Sequence, residues 1–276
     1  MTHEIYLQPA IDKNDSGSWE PSRFCAPLYI AEHDTMLSAE WSEYRNGTVT
    51  FVDFRDKVYA LTCEHVKSYY ETNSSESWGL YIPYSGKKIA FPSQFKSYRD
   101  LLNENVDLAI CEVEQEFLTV INRKAVPIQP WDNSVSEQAC FGGLSAGYPE
   151  QNQSFGDNSL SSTVVTTIAH FSVFDAENEL SLNSTFEGTD EADNLSGMSG
   201  GPTLFSSESS WGLGGIVYEG EDLSGPKFAF AFAFDPTLIT EEDTEEQDNQ
   251  GIILVKSIAL NESRMRTLVD AYHRSN

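Results

Sequence analysis

The stretch Gly197-Met198-Ser199-Gly200-Gly201-Pro202 places one serine among three glycines and ends in a proline. Glycine lets the backbone adopt positive φ values and lets another molecule approach the main chain closely. A nucleophilic serine needs both properties, because its hydroxyl must be accessible and nearby N–H groups must point at a developing oxyanion. Serine and glycine are also common in tight turns, so this stretch taken alone fits a nucleophile or a simple turn between strands.

Two further motifs bear on this choice. Thr62-Cys63-Glu64-His65 follows a strand-like apolar run, and Val106-Asp107-Leu108-Ala109-Ile110 lies further along the chain. Asp107 comes 42 residues after His65, and Ser199 comes 92 residues after Asp107. One histidine among five carries little information, and an aspartate at the start of a strand is ordinary. Each motif taken alone is therefore ambiguous.

These motifs, in the order His, Asp, Ser and at these separations, resemble those of the chymotrypsin/trypsin-like serine peptidases, whose nucleophile lies in a Gly-x-Ser-Gly-Gly-Pro signature. The resemblance extends over roughly residues 45–235. It implies an all-β fold of two packed six-stranded antiparallel β-barrels with a C-terminal α-helix. The short strand-like runs and frequent turn signals of the chain are themselves typical of an all-β barrel or sandwich.

The chain is accordingly expected to divide into an N-terminal arm (1–22), a first barrel with His65 and Asp107 (23–130), a second barrel with Ser199 (131–260) and a C-terminal helix (261–276). Period-two alternation predicts a hairpin from residues 48–54 and 57–62. Asn261 is predicted to cap the last helix, Glu262 to Arg274. Further strands are predicted at 78–84, 87–91, 107–113, 141–149, 161–174 and 227–234, a helical turn at 97–103 and a charged loop at 241–248.

The resemblance implies a role for each matching residue. Ser199 would be the nucleophile, and His65 would accept its proton and later pass it to the leaving amine. Asp107 would hold the imidazole in the right tautomer. The backbone N–H groups of Gly197 and Ser199 would form the oxyanion hole. Met198 departs from secreted members that are made as zymogens, which have an aspartate before the serine. Many bacterial and viral members also lack this aspartate, so the departure does not exclude activity.

Specificity depends on residues that the resemblance places less firmly. Asp193 lies six positions before Ser199, where trypsin-like members have the acid at the pocket floor, and this implies cleavage after Arg or Lys. The alternative is that Asp193 is one of several acids in a solvated loop at 187–193. Gly220 would leave the pocket entrance open.

The charge of the chain narrows its partners. With 43 acidic against 17 basic residues, the net charge is −26. This balance argues against nucleic acid and anionic membranes as partners, because both are bound by basic patches. The acidity keeps a protein soluble, and it would also attract basic substrates.

Cysteine usage and the termini predict a cytoplasmic protein. Cys25, Cys63, Cys111 and Cys140 form no metal motif, and none of them flanks the serine, so free thiols in a reducing compartment are expected. Residues 1–15 lack the features of a signal peptide, and no apolar run of about 18 residues predicts a membrane span. No cofactor and no metal are predicted.

The sequence therefore predicts a cytoplasmic, bacterial-type serine endopeptidase without disulfides. Its substrate would be a protein or peptide with a basic residue before the cut, and either a narrow substrate range or a regulatory protein partner would restrain its activity. A catalytically silent relative that uses the barrels as a binding module is the alternative. An esterase of the α/β-hydrolase type is disfavoured, because those enzymes present the order Ser, Asp, His.

Overall fold

The computed structural model describes residues 21–32, 46–73, 78–85, 87–128, 142–148, 153–156, 159–162, 165–174, 179–185, 196–206, 211–222 and 252–276. Within these residues the chain is mainly antiparallel β-sheet with short helices and one longer C-terminal helix. None of the helices in these ranges has the length and apolar character needed to cross a bilayer.

The first half of the chain forms one eight-stranded sheet. Its strands are β1 (Cys25–Glu32), β2 (Asn46–Phe54), β3 (Lys57–Thr62), β4 (Trp78–Tyr84), β5 (Lys87–Ala90), β6 (Lys96–Ser97), β7 (Ala109–Val113) and β8 (Val126–Pro127). They pair in the order β5-β4-β1-β2-β3-β7-β6, and β8 adds to β2 in parallel. The predicted hairpin of β2 and β3 turns at Arg55 and Asp56, which both have positive φ, as a tight two-residue turn requires.

The described residues of the second half contribute eight further strands. They are β9 (Gly142–Gly147), β10 (Gln153–Gly156), β11 (Ser159–Ser162), β12 (Val165–Phe174), β13 (Glu179–Thr185), β14 (Pro202–Ser206), β15 (Trp211–Asp222) and β16 (Ile252–Ala259). β10 and β11 pair only with each other among the described residues. The other six pair antiparallel in the order β12-β13-β16-β15-β14-β9, and β9 pairs again with β12, so this sheet closes on itself.

In the described residues these strands are accompanied by a 3₁₀-helix, Pro21–Arg23, and four α-helices: α1 (Glu64–Asn73), α2 (Tyr98–Leu102), α3 (Gln115–Val120) and α4 (Glu262–Arg274). The Ser97 side chain accepts the Asp100 N–H at the start of α2, and Asn103 ends this helix in the left-handed region. Asn261 caps α4 by accepting the Arg264 N–H at 2.9 Å. A helical turn at 97–103 and a final helix capped by Asn261 were predicted, whereas α1 was not.

The expectation of two six-stranded barrels is confirmed only as a mainly antiparallel β fold with a C-terminal helix. The first half is an eight-stranded sheet instead. Its strands β6 and β8 have only two residues each, which is too short for a period-two pattern, so the sequence did not predict them. The predicted strand at 161–174 is divided between β11 and β12, and the one at 107–113 begins at Ala109. The segments 1–20, 129–141, 227–234 and 241–248 lie outside the described residues, so the predicted divisions of the chain stay predictions.

One hydrophobic core joins the two halves. It contains Val49 and Phe51 of β2, Ile216 of β15 and Leu268 of α4, all less than 1% exposed. The predicted apolar face of α4 is buried throughout: Met265, Leu268, Val269 and Tyr272. Val49 and Phe51 of β2 are buried on one face of the strand, and Thr48 and Thr50 are buried on the other, so this part of β2 is covered on both sides.

Candidate active site

His65 and Asp107 meet because their strands are neighbours in the first sheet. β3 and β7 run antiparallel, and Thr62 lies opposite Ala109. His65 follows Thr62 by three residues, and Asp107 precedes Ala109 by two, so both lie at the same end of this strand pair. The His65 side chain remains 52% exposed and that of Asp107 30% exposed.

Two hydrogen bonds connect these residues. The Asp107 Oδ2 atom accepts from His65 Nδ1–H at 2.6 Å, and Oδ1 accepts from the backbone N–H of His65 at 2.9 Å. Both carboxylate oxygens are therefore used, which fixes the orientation of the carboxylate relative to the imidazole. With the proton on Nδ1, the Nε2 atom has a free lone pair and can act as a base.

Ser199 lies in the segment that precedes β14, and its hydroxyl donates to the backbone carbonyl of Tyr218 at 3.3 Å. The pairing of β15 with β16 shifts register between Val217 and Glu219, which is a β-bulge at Tyr218. Such a bulge changes the direction of neighbouring groups, and here the redirected carbonyl accepts from the serine. Among the described residues, no hydrogen bond joins Ser199 Oγ to His65.

The main chain around Ser199 has the conformation that only glycine adopts easily. Gly197 and Gly200 have φ values of 98° and 94°. The N–H of Gly201 donates to Met198 O at 2.8 Å. Because C=O and N–H point in opposite directions in a trans peptide, this bond also fixes the direction of the Ser199 N–H. Within the described part of the chain, neither the Gly197 nor the Ser199 N–H donates to an acceptor.

Two threonines of β2 hold this segment from the first sheet. Thr48 Oγ1–H donates to Gly197 O at 2.7 Å, and Thr50 Oγ1–H donates to Gly200 O at 2.7 Å. The two residues are two positions apart, so they share one face of the strand. We refer to Thr48 and Thr50 as the threonine pair. The threonine pair links the serine segment to β2. This strand pairs with β3, and the chain continues from β3 to His65.

The sequence prediction missed the threonine pair. Its members occur in Thr48-Val49-Thr50-Phe51, where the period-two pattern separates two hydroxyl side chains from two apolar ones. Both faces of this strand are buried, so the threonines needed partners within the protein. That need was a usable signal, but the partners lie about 150 residues further along the chain.

A cavity of about 510 Å³ opens beside the imidazole and the carboxylate, and its wall includes His65, Asp107 and Tyr218. Charged groups of both signs also line it: Glu64, Arg99 and Arg264. The Arg99 guanidinium lies 4.0 Å from the Glu64 carboxylate, so these charges partly compensate each other. The cavity gives solvent and small molecules access to the His65–Asp107 pair.

Cys63, His65 and Asp107 place potential metal-ligand atoms within 4.8 Å of one another. The Cys63 thiol is fully buried and donates to Val217 O at 3.2 Å. Burial, followed by the nearby Asp107 carboxylate, raises the pKa of this thiol well above its ordinary value. A metal would need the thiolate, and the Asp107 carboxylate already accepts two hydrogen bonds from His65, so the group is better suited to hydrogen bonding than to coordination.

Of the two residues predicted to determine specificity, Gly220 lies within the described residues and Asp193 does not. Gly220 lies on β15 and is paired with Val255 of β16, but its predicted role at a pocket entrance stays a prediction. Asp193 lies outside the described residues, and so does the predicted acidic loop around it. Cys25, Cys63 and Cys111 are free, buried thiols, whereas Cys140 is outside the described residues.

Comparison with known proteins adds only distant similarities. No protein-family model matches the chain, and no curated protein matches it in sequence. Among solved structures it is similar to a thermostable serine protease, AL20, from an extremophilic microorganism (10% identity, TM-score 0.47, 91% of this chain and 97% of that one). It is also similar to the protease Anisep from Arthrobacter nicotinovorans (13%, 0.42, 90% and 95%) and to the serine protease domain of the Sesbania mosaic virus polyprotein (17%, 0.36, 78% and 92%). At such identities and TM-scores, any functional role has to be argued from the residues of the site.

Proposed function

We propose that the chain is a serine endopeptidase in which Ser199 is the nucleophile, His65 the general base and acid, and Asp107 the residue that orients His65. The observation that carries this proposal is the double hydrogen bond between His65 and the Asp107 carboxylate. It leaves Nε2 as the basic atom of an exposed imidazole, as a general base requires. The glycine-rich segment of Ser199 supplies a hydroxyl and two N–H groups for the same reaction.

For the reaction to begin, the Ser199 hydroxyl would have to leave the Tyr218 carbonyl and donate to His65 Nε2 instead. Oγ would attack the carbonyl carbon of the peptide while its proton passes to Nε2. The Gly197 and Ser199 N–H groups would bind the oxyanion. His65 would then protonate the leaving amine as the C–N bond breaks, and water would hydrolyse the acyl-enzyme by the reverse proton transfers.

Removal of the nucleophile or the base tests this proposal. Ser199→Ala and His65→Ala should each lower kcat/KM for peptide hydrolysis by about 10⁴-fold or more, because the groups act as a unit. Ser93→Ala serves as the matched control, since its hydroxyl donates to Glu112 O and not to any group of the candidate site. The far-UV and near-UV circular dichroism of all variants should match that of the parent protein. Full hydrolysis by Ser199→Ala would refute the assignment.

A binding module without catalysis is the second candidate, and it is favoured by one observation. The Ser199 hydroxyl is bonded to the Tyr218 carbonyl in the structure, and no bond to His65 exists within the described residues. A fluorophosphonate probe separates the two functions, because it labels a serine only when that serine is activated. Stoichiometric labelling of Ser199 that is lost in His65→Ala supports the peptidase, and absence of labelling supports the binding module.

The preference for basic residues and the cellular setting rest on the sequence. Asp193 and the excess of acidic residues support cleavage after Arg or Lys. Peptides with Arg or Lys before the cut should therefore be cleaved faster than those with Phe or Leu. Asp193→Ser should remove this preference, whereas the matched control Asp190→Ser should keep it. Cytoplasmic location and a regulatory protein partner stay predictions from the sequence.

A further inference from the structure

Thr48 forms hydrogen bonds to the segment that contains Ser199, although the proposed reaction assigns no role to Thr48. Its side chain is fully buried. Its N–H donates to Ser199 O at 2.8 Å, and its Oγ1–H donates to Gly197 O at 2.7 Å. The same Oγ1 accepts the Tyr148 N–H at 3.0 Å, and the Thr48 carbonyl accepts Thr62 Oγ1–H at 2.8 Å. Every polar atom of Thr48 is thus used.

The two carbonyls that Thr48 binds lie on either side of the Met198–Ser199 peptide. Gly197 is buried and has a φ of 98°, but it has no side chain of its own to hold the orientation of its backbone. The hydrogen bond from Thr48 Oγ1 therefore restricts the orientation of Gly197 and of the N–H group that precedes its α-carbon. The two carbonyls belong to the 197–198 and 199–200 peptides, so the Ser199 N–H lies between two held peptides and the Gly197 N–H lies next to one of them.

Thr48 also connects this segment to the base. Thr62, which donates to the Thr48 carbonyl, is the last residue of β3 and precedes His65 by three positions. Gly200 approaches the same place so closely that an added Cβ would lie 1.9 Å from Thr48 O and 2.6 Å from Thr62 Oγ1. The strand that carries His65 and the segment that carries Ser199 are therefore held against each other at Thr48.

We propose that Thr48 is a positioning residue, which aligns the N–H donors around Ser199 through its hydroxyl and sets their distance from His65 through its main chain. The inference rests on the proposed peptidase function. It assigns no contact with the substrate to Thr48, because the residue is buried. Its hydroxyl acts on Gly197, and the effect on the reaction follows from the orientation of that glycine.

The test compares three variants of the full chain. Thr48→Val keeps the shape of the side chain but removes both hydrogen bonds of Oγ1, and Thr48→Ser restores them. Thr203→Val is the matched control, since Thr203 is equally buried and its Oγ1 bonds Ser145 Oγ at 3.0 Å and Ser257 Oγ at 2.6 Å, within the second sheet. Both valine variants lose two buried hydrogen bonds, so loss of thermal stability alone does not distinguish them.

Kinetics of active-site-titrated protein provide the decisive measurement. Thr48→Val should lower kcat by about 10- to 100-fold and change KM by no more than about twofold. The misaligned N–H donors would stabilise the transition state less, whereas substrate binding would change little. Affinity for a peptide boronic acid, whose tetrahedral adduct occupies the oxyanion hole, should fall by the same factor, and affinity for the product peptide should not. The pH midpoint of kcat/KM should stay unchanged, since Thr48 does not contact the His65–Asp107 pair. Thr48→Ser and Thr203→Val should both retain kcat within a few-fold.

Two results would overturn the inference: a kcat for Thr48→Val equal to that of Thr203→Val, or a lower kcat with unchanged boronate affinity. If the parent protein shows no hydrolysis that depends on Ser199, the proposed function fails and the positioning role is judged by amide hydrogen exchange. Faster exchange of residues 197–200 in Thr48→Val than in Thr203→Val would then support the positioning role. Equal exchange in the two variants would reject it.

Discussion

At three glycines around the candidate site, the neighbouring main chain lies too close for a side chain to fit. An added Cβ on Gly201 would lie 1.9 Å from Ala146 O, the same distance that separates a Cβ on Gly200 from Thr48 O. Gly147 packs against Met198 in a similar way, because an added Cβ on Gly147 would lie 2.8 Å from the Met198 α-carbon. The glycines therefore allow the serine segment to pack between the two halves of the protein.

Gly200→Ala should destabilise the protein by at least about 3 kcal/mol, because it adds a steric clash with backbone to the strain of a positive φ. The free energy of unfolding in urea measures this loss. Gly47→Ala is the matched comparison, since its added Cβ would meet the Val66 side chain at 2.7 Å and not backbone. We expect a smaller loss for Gly47→Ala, and equal losses would show that backbone crowding at Gly200 is not decisive.

At the scale of elements, the C-terminal helix α4 ties the end of the chain to the first sheet. The Tyr272 hydroxyl accepts the N–H of Glu112 in β7 at 3.2 Å, and His273 Nε2 lies 2.9 Å from the Tyr59 hydroxyl of β3. Arg55 and Asp270 also form an ion pair, but both side chains are about half exposed, so it adds little stability. Burial of one face of α4 is the dominant contribution.

The start of α4 depends on Asn261. Asn261→Ala should lower the free energy of unfolding by about 1 kcal/mol, because the Arg264 N–H loses its acceptor. Asn261→Ser should recover most of this loss, since serine is also a good N-cap residue. Thermal unfolding followed at 222 nm provides the comparison. No difference between the alanine and serine variants would contradict the capping role.

At the scale of the whole molecule, three thiols are sealed inside a strongly acidic protein. Cys25, Cys63 and Cys111 are fully buried, and the net charge of the chain is −26. Burial raises the pKa of Cys25 to about 12, against the weaker opposing effect of Arg123. Burial likewise raises the pKa of Cys111 well above 9.0. These thiols stay protonated in the folded protein at pH values where an unfolded chain loses the protons.

Stability should therefore fall as the pH rises above about 9. There the unfolded state binds fewer protons than the folded state, so each buried thiol lowers the free energy of unfolding by up to about 1.4 kcal/mol per pH unit. Urea unfolding between pH 7 and pH 10.5 measures the slope. Cys111→Ala should remove one such contribution above pH 9 and leave the slope below pH 8 unchanged. An unaltered alkaline slope in this variant would contradict the assignment.

Local patterns predicted the parts of the fold that depend on neighbouring residues. The hairpin of β2 and β3 and the helix α4 followed from alternation and from a capping asparagine, and both are confirmed. Helix α1 was missed because Glu64–Asn73 has few apolar residues and Val66 is the one that packs under Gly47. The eight-stranded first sheet was missed because its shortest strands have two residues.

The candidate site was predicted from motifs whose order and spacing resemble those of a known family, and its supporting contacts were not predicted. The separation of His65 and Asp107 suggested a pair, and the structure shows two hydrogen bonds between them. The acceptor of the Ser199 hydroxyl, Tyr218 O, depends on a bulge that leaves no local signal. The threonine pair depends on the packing of two halves that are distant in sequence, and periodicity within a strand carries no information about it.

The hydrogen bonds between the two halves also set the order in which the site can arise during synthesis. The threonine pair reaches carbonyls 149 and 150 residues ahead, and Cys63 reaches Val217 over 154 residues. At a translation rate of about 5–20 residues per second, the ribosome needs on the order of ten seconds to synthesise the residues between the two partners of such a bond. A nascent chain that ends before β15 lacks the carbonyls that organise Ser199. For a peptidase, this delay means that the nascent chain must extend at least through β15 before it is able to cut anything, its own unfolded segments included.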